Sequence, residues 1–370
     1  MKKLFIVILT GSIAFLNIKA QSTNDILNVL VQNNAITQDQ ADSLRSEAAL
    51  KQQDADAKRK LFPVNAGKAF QLGGYTQARY QIDETAGKAD GFDIRRAYLN
   101  ISGVLSPYWS YRFQADFAVA PKLIDAYAEF KVNDAFNFLI GQAVVPFSID
   151  NITSNTRLDF IDRSQVTEAL VARGKDVIGN QNGRDLGVQL GGSLFELNGL
   201  QLIEYKVALL NGSGINTTDK NDAKDVSARV VLHPVKGLGV GASWYDGVGT
   251  HTSPVQNKGR NRLGFELNYE TKNLSLRSEY IKGKDGSIER EGYYAQAGYY
   301  VLPQKLQLLA KYDVYDPNIS VSGNQSSWYI AGVNFLFNPN VKLQINYTIK
   351  DEESKSINNN LTSLQMQFTF

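Results

Sequence analysis

LQMQFTF, residues 364–370, alternates without a break: Leu364, Met366, Phe368 and Phe370 share one parity, and Gln365, Gln367 and Thr369 share the other. Successive side chains of a strand point to opposite faces, so the stretch is a strand with one apolar and one polar side. Soluble domains usually leave their last residues loose, because ordering them costs backbone entropy for little burial. A strand that runs to the final residue is expected to be paired along both edges. Alone, the stretch fits the last strand of a soluble sandwich equally well, and the decision rests on what precedes it.

What precedes it repeats the pattern. In VKLQINYTIK (341–350) the apolar positions are Val341, Leu343, Ile345, Tyr347 and Ile349, and every residue between them is polar. RLGFELNY (262–269) and YRFQADF (111–117) behave alike, and the period of two persists from about Phe70 onward. Short connections, such as Ser106-Pro107, Asn133-Asp134, Asn198-Gly199 and Asn338-Pro339-Asn340, alternate mostly with longer polar ones: ETAGKADG, NGSGINTTDKNDAKD, GVGTHTSPVQNKG and DPNISVSGNQS. Alternating segments of about ten residues separated by turns mark a transmembrane barrel. The reading is therefore all-β, a transmembrane antiparallel β-barrel of about 16 strands over residues 70–370, with both sheet ends on the short-turn side. A soluble sandwich would not keep a regular polar face over so many strands. The terminal strand must then close the sheet, because no backbone edge can stay unpaired in lipid.

Composition agrees. Cysteine is absent, which excludes disulfides and thiolate sites, whereas tyrosine and phenylalanine number 18 each and glycine 30. Residues 1–20, MKKLFIVILTGSIAFLNIKA, have a basic start, an apolar centre and a small residue before Gln21, the pattern of a cleaved secretory signal. Its removal takes Lys2, Lys3 and Lys19 from 39 basic residues and leaves 36 against 37 acidic ones, so a nucleic-acid partner is not expected. Residues 21–62 read instead as a periplasmic helical or coiled-coil segment, with Ile26, Leu27, Leu30 and Val31 at helical spacing and Thr37 as an N-cap. Its sparse apolar stripe suggests packing against other copies.

One connection is unlike the others. After FLIGQAVVPFSID comes a long segment, 143–181, in which NTRLDFIDRS reads as a short helix. A barrel of this size leaves a water-filled channel, and this segment is placed to fold inward and constrict it; an external loop is the alternative. Four blocks in order, FDIRRAYLNISGVLSPYWSYRFQADFA (92–118), DAYAEFKVNDAFNFLIGQAVVPFSID (125–150), TSNTRLDFIDRS (153–164) and GRDLGVQLGG (183–192), resemble the phosphate-selective porin O/P family. The resemblance implies a homotrimeric sixteen-stranded channel of a Gram-negative outer membrane, with basic residues guiding small anionic or polar solutes. It implies too a terminal strand recognised by the barrel-insertion machinery. Carried over, Arg95 and Arg96 match the family's paired arginines, Asp125 its constriction aspartate and Ser154 a serine on the inward loop.

The chain departs from the family where Asn151 and Asn155 flank Thr153-Ser154 in place of a lysine before Thr-Ser-Ser, and where SARVVLH supplies only Arg229 of an arginine ladder. By parity Arg96, Arg112, Asp125, Arg229, Arg262 and Arg277 face the lumen, beside a loop carrying Ser154, Arg157, Arg163 and Ser164. Arg95 has the lipid-side parity and must sit at the rim or on a bulge. The resemblance implies an anion-preferring pore, and because inward bases only slightly outnumber inward acids, passive diffusion of weakened selectivity is expected. No enzymatic activity, cofactor or metal is expected: His233 and His251 lack ligand spacing, and DKNDAKD (219–225) lacks the glycine and terminal glutamate of a calcium loop. The rival reading is a closed barrel acting as an anchor or adhesin through its external loops.

Overall fold

The computed structural model describes residues 69–171, 182–219, 221–252 and 255–370, with scattered positions between 27 and 40. The chain forms two compact units, Met1–Val64 and Asn65–Phe370. In the first, Leu30, Val31 and Gln32 are helical. The Thr37 backbone N–H donates to Gln40 Oε1 at 2.9 Å and the Gln40 N–H to Thr37 Oγ1 at 3.2 Å, the reciprocal pair of a capping box. The signal sequence and most of the 21–62 segment lie outside the described residues.

The second unit is a barrel of sixteen strands: β1 (Gln71–Asp83), β2 (Gly91–Val104), β3 (Trp109–Asp116), β4 (Lys122–Asn133), β5 (Phe136–Val144), β6 (Arg184–Leu197), β7 (Leu200–Leu210) and β8 (Asp225–Leu232), then β9 (Leu238–Thr252), β10 (Val255–Glu270), β11 (Leu274–Asp285), β12 (Ile288–Leu302), β13 (Leu306–Asp316), β14 (Ser326–Asn338), β15 (Val341–Glu352) and β16 (Leu361–Thr369). Each strand pairs antiparallel with its sequence neighbour, and β1 closes on β16 with Tyr75 opposite Thr369. No edge is left, as lipid requires. The stretch GVGTHTSPVQNKG corrects the sequence reading. Its described residues form no loop but continue β9 and β10, paired as far as Thr252 and Val255.

Burial is inverted relative to a soluble protein. Gln77, Gln344, Gln365 and Asp313 are buried, whereas Phe265, Trp244, Tyr347 and Phe368 are exposed. The period of two thus turns amides and charges inward and apolar groups toward lipid. Tilted aromatic pairs lie on the outer face near both rims, Tyr80 with Phe92 and Trp109 with Phe130, as in the interfacial girdles of membrane barrels.

The lumen has a core of its own, supplied by the segment after β5. Val145, Phe147, Val166, Leu170 and Val171 pack on Leu210, Tyr245, Ile281 and Tyr294 of the wall. Farther along, Phe160 meets Leu309, Ile330 and Trp328. Two short helices punctuate the segment: α1 (Ile149–Ile152), capped by Ser148, and α2 (Gln165–Leu170), capped by Ser164. NTRLDFIDRS is not the expected helix. Only Asn155–Arg157 makes a single 3-10 turn. Beyond it the backbone stays extended because wall amides bind it: Gln344 and Asn334 donate to Asp159 O at 2.9 Å, and Ile161 N–H donates to Asn346 Oδ1 at 2.8 Å. A chain whose peptide groups are satisfied by the wall gains nothing from helical bonds.

Candidate functional site

Carboxylates of the wall hold the inward segment by its helix starts. Glu279 accepts from Ser148 Oγ at 3.1 Å and from the N–H groups of Ile149 and Asp150 at 3.0 and 3.2 Å; Asp313 accepts from Gln165 N–H at 3.0 Å. These are the donors that a helix start leaves unpaired. At the other end of α2, Arg262 Nε donates to Leu170 O at 2.8 Å, and its Nη2 reaches Asp285 at 2.8 Å. These contacts fasten both ends of α2 and the start of α1 to β10, β11 and β13, and water-filled space remains on either side of the segment.

That space is a run of cavities. On the long-loop side a cavity of about 390 Å³ is lined by Arg79, Lys88, Arg95, Arg96, Arg163, Arg184 and Lys350 against Asp83, Asp162 and Glu168. It shares Asn155, Arg163 and Arg184 with a narrow cavity of about 190 Å³, which adds Arg112 and Lys206 with Asp125 as its one carboxylate. Through Ile152, Thr153 and Ser154 this meets a third cavity of about 410 Å³ on the short-turn side, where Arg157, Arg229 and Arg277 face Asp159, Glu204 and Glu270. The near balance of inward acids and bases does not hold at every level of the lumen. The narrow stretch is basic and the short-turn side is balanced.

A bulge resolves the parity of Arg95. Gln77 pairs with Arg96 and Ala78 with Ile94, so Arg95 is the extra residue, and both arginines turn inward. Arg95 forms an ion pair with Asp162 of the inward segment. Arg96 donates to the neutral Gln77 Oε1 at 2.8 Å. Asp125 is shared by Arg184 at 2.9 Å and Arg112 at 3.5 Å. Arg184 was not foreseen from the sequence. It starts β6 on the wrong parity, yet the left-handed backbone of Asn182 and Gly183 just before it frees its side chain to reach Asp125.

Other expected pore residues are placed differently. Ser164 is fully buried and bonds Asp150 and Thr167 within the segment, so it does not face the path. Arg163 is 4 % exposed, and its guanidinium is taken up by Asp150 O, Asn155 Oδ1 and Thr153 O, each at 2.7 Å. It binds the segment's carbonyls, not the neighbouring Asp162. Arg262 is likewise consumed by anchoring. Arg229 is paired with Glu266 at 2.5 Å and Glu204 at 3.4 Å. Arg157 and Ser154 are exposed to the lumen, and Arg277 lines the third cavity.

Two carboxyls of the inward segment, Asp150 and Asp162, are held below the usual carboxylate range. Desolvation acts to raise Asp162, but Arg95 outweighs it and holds the group well below the usual carboxylate range. Asp150 is desolvated too, and Lys311 and Arg163 lower it.

A second segment also dips inward. NGSGINT (211–217) folds through left-handed positions at Gly212, Gly214 and Asn216. It sets Ile215 against Tyr75, Tyr98 and Ile124. Asn216 secures it, with its N–H on Gln142 Oε1 and its Nδ2 on Leu123 O, both at 2.8 Å. Tyr98 lines the first cavity and Tyr75 the second, so this segment backs the tyrosine pair at the narrowing. Only the alternation of Gly and Asn in the sequence hints at it.

A closed antiparallel barrel of sixteen strands, apolar outside, polar within and narrowed by an inward segment, is the architecture of an outer-membrane porin. The chain belongs to the phosphate-selective porin O and P family, whose family model matches residues 70–370. This places it in the outer membrane of a Gram-negative bacterium. Among curated proteins no sequence match is found. Similar solved structures include OprB of Pseudomonas putida at high pH (TM-score 0.63, 9 % identity, 82 % of this chain and 94 % of that one). OmpF of Salmonella typhi in complex with daunomycin gives 0.60, with 13 % identity over 81 % and 97 %. The outer-membrane channel DcaP of Acinetobacter baumannii gives 0.59, with 12 % identity over 83 % and 98 %. At these identities the likeness is one of fold.

Proposed function

We propose that this porin is a passive diffusion channel that prefers small anions in its long-loop half and discriminates weakly in the other half. The observation that carries the reading is the charge of the narrow stretch, where Arg112, Arg184 and Lys206 stand against Asp125 alone. Fixed charges at a constriction act at short range with little screening water between them and the ion. The balanced charges of the short-turn cavity support a moderate preference. Tight phosphate selection is disfavoured because Asn151, at the departure from the family's lysine, is neutral and buried, its Nδ2 donating to Val145 O at 3.1 Å. Cavities that share lining residues from one end to the other favour a conducting path over a closed anchor.

Reversal potentials of the purified protein in planar bilayers under a potassium chloride gradient test this reading. Chloride should permeate better than potassium. Arg96→Ala removes a charge whose contact is to a neutral amide. Even with the screening of bulk water, a unit charge acting over about 10 Å contributes ~0.4 kcal/mol, so the permeability ratio should fall at least about twofold in a folded barrel. A cation preference, or an unchanged ratio in the variant, would overturn the assignment. We also take the assembly to be a homotrimer, since OmpT of Vibrio cholerae, 12 % identical, is described in a trimer form. Its terminal strand is taken to be read by the insertion machinery. Cross-linking in detergent checks the first point.

A further inference from the structure

The long-loop cavity holds more than a small oxyanion needs. Its volume is about 390 Å³, within the range of sites that enclose drug-sized molecules. One side of it, from β1, β2 and β6, carries Arg79, Arg95 and Arg184, paired with Asp93, Asp162 and Asp125, and Arg96, which donates to the neutral Gln77. The other, from β14 and β15, carries Trp328 and Lys350. Of the three tryptophans, Trp109 and Trp244 are exposed on the outer face, 41 % and 46 %, where a barrel in lipid favours them. Trp328 has the opposite parity on β14 and turns into the lumen beside Ile330. There it packs on the cluster of Phe160, Leu309 and Ile330, and Lys350 Nζ lies 5.3 Å from its ring centroid. The part of the indole that lines the cavity is flat apolar area that no ion such as chloride or phosphate can use.

We propose that this vestibule is a binding subsite for anions with a planar apolar body, aryl carboxylates being the simplest class. The carboxylate would meet the arginine side, at Arg96 first, and the ring the Trp328 side. The inference rests on the anion preference proposed above and adds a solute class to it.

Benzoate and acetate distinguish the two sides, because they share the carboxylate and differ in the ring. In bilayer recordings of the full-length protein, benzoate added on the long-loop side should reduce the chloride current at about tenfold lower concentration than acetate, the factor a buried ring contact supports. Trp328→Ala should remove most of that difference and leave acetate unchanged, whereas Trp328→Phe should keep most of it. Heat-modifiable mobility in detergent establishes that each variant retains a folded barrel. Equal block by benzoate and acetate in the wild type, or a Trp328→Ala effect of the same size on both, refutes the subsite. Loss of chloride preference in the wild type would instead refute the underlying reading, so the two failures are told apart.

Discussion

Replacing Arg163 with alanine should loosen the inward segment while leaving the barrel intact. The guanidinium is 4 % exposed and makes three bonds of 2.7 Å, to Asp150 O, Thr153 O and Asn155 Oδ1. Those acceptors lie before and at the start of the single turn at Asn155–Arg157, and Arg163 lies after it, so one side chain cross-ties a stretch with few backbone bonds of its own. Hydrogen bonds from a charged donor contribute about 1.5–3 kcal/mol each, and buried acceptors left without a donor carry their desolvation cost. Taking the low end and allowing for non-additivity gives about 4 kcal/mol, or about three decades in the local opening equilibrium. The wall ladder does not involve Arg163, so mobility in detergent should stay that of a folded barrel. Conductance should rise, with added current noise, and protease should cut near residues 153–163. Lysine should not rescue, because one ammonium cannot span the three acceptors that the planar fork reaches. Wild-type conductance together with wild-type protease resistance would refute the structural role assigned to Arg163.

Two further outcomes follow from the same geometry. Asp162→Asn removes the partner of Arg95, so the segment should dock more weakly than in the wild type. Because Arg95 holds the Asp162 carboxyl below its usual range, this stabilisation is fully present above the unfolded value near ~3.9 and is lost as pH falls through the lowered one. The difference between variant and wild type in protease protection should therefore be constant from about pH 8 to 5 and shrink only in stronger acid. A difference that vanishes near neutrality would contradict the pairing. Ile215→Ala empties the contact behind Tyr75 and Tyr98, at a local cost of about 2–4 kcal/mol. It should raise single-channel conductance and leave the chloride-to-potassium ratio unchanged, and an unaltered conductance would detach the 211–217 segment from the constriction.

The period of two from Phe70 to Phe370 determined by itself that the chain is a barrel, how many strands it has, which rim bears the short turns and which side chains face water. Alternation is a local property, and lipid permits only one closed arrangement of it. Arg96, Arg112 and Asp125 were legible for the same reason. Inward parity does not say whether a charge meets solvent or protein, and there the tertiary structure decided. Arg163, Ser164 and Arg262 are consumed in folding and anchoring the inward segment, because its carbonyls and helix ends lie within their reach. Arg95 enters the lumen through one extra residue in β2, and Arg184 through two left-handed residues before β6. Trp328 and Ile215 meet partners more than a hundred residues away, Phe160 for the first and Tyr75 and Tyr98 for the second. Contacts of that range leave no period in the sequence, since they depend on where a closed sheet brings its far strands and loops.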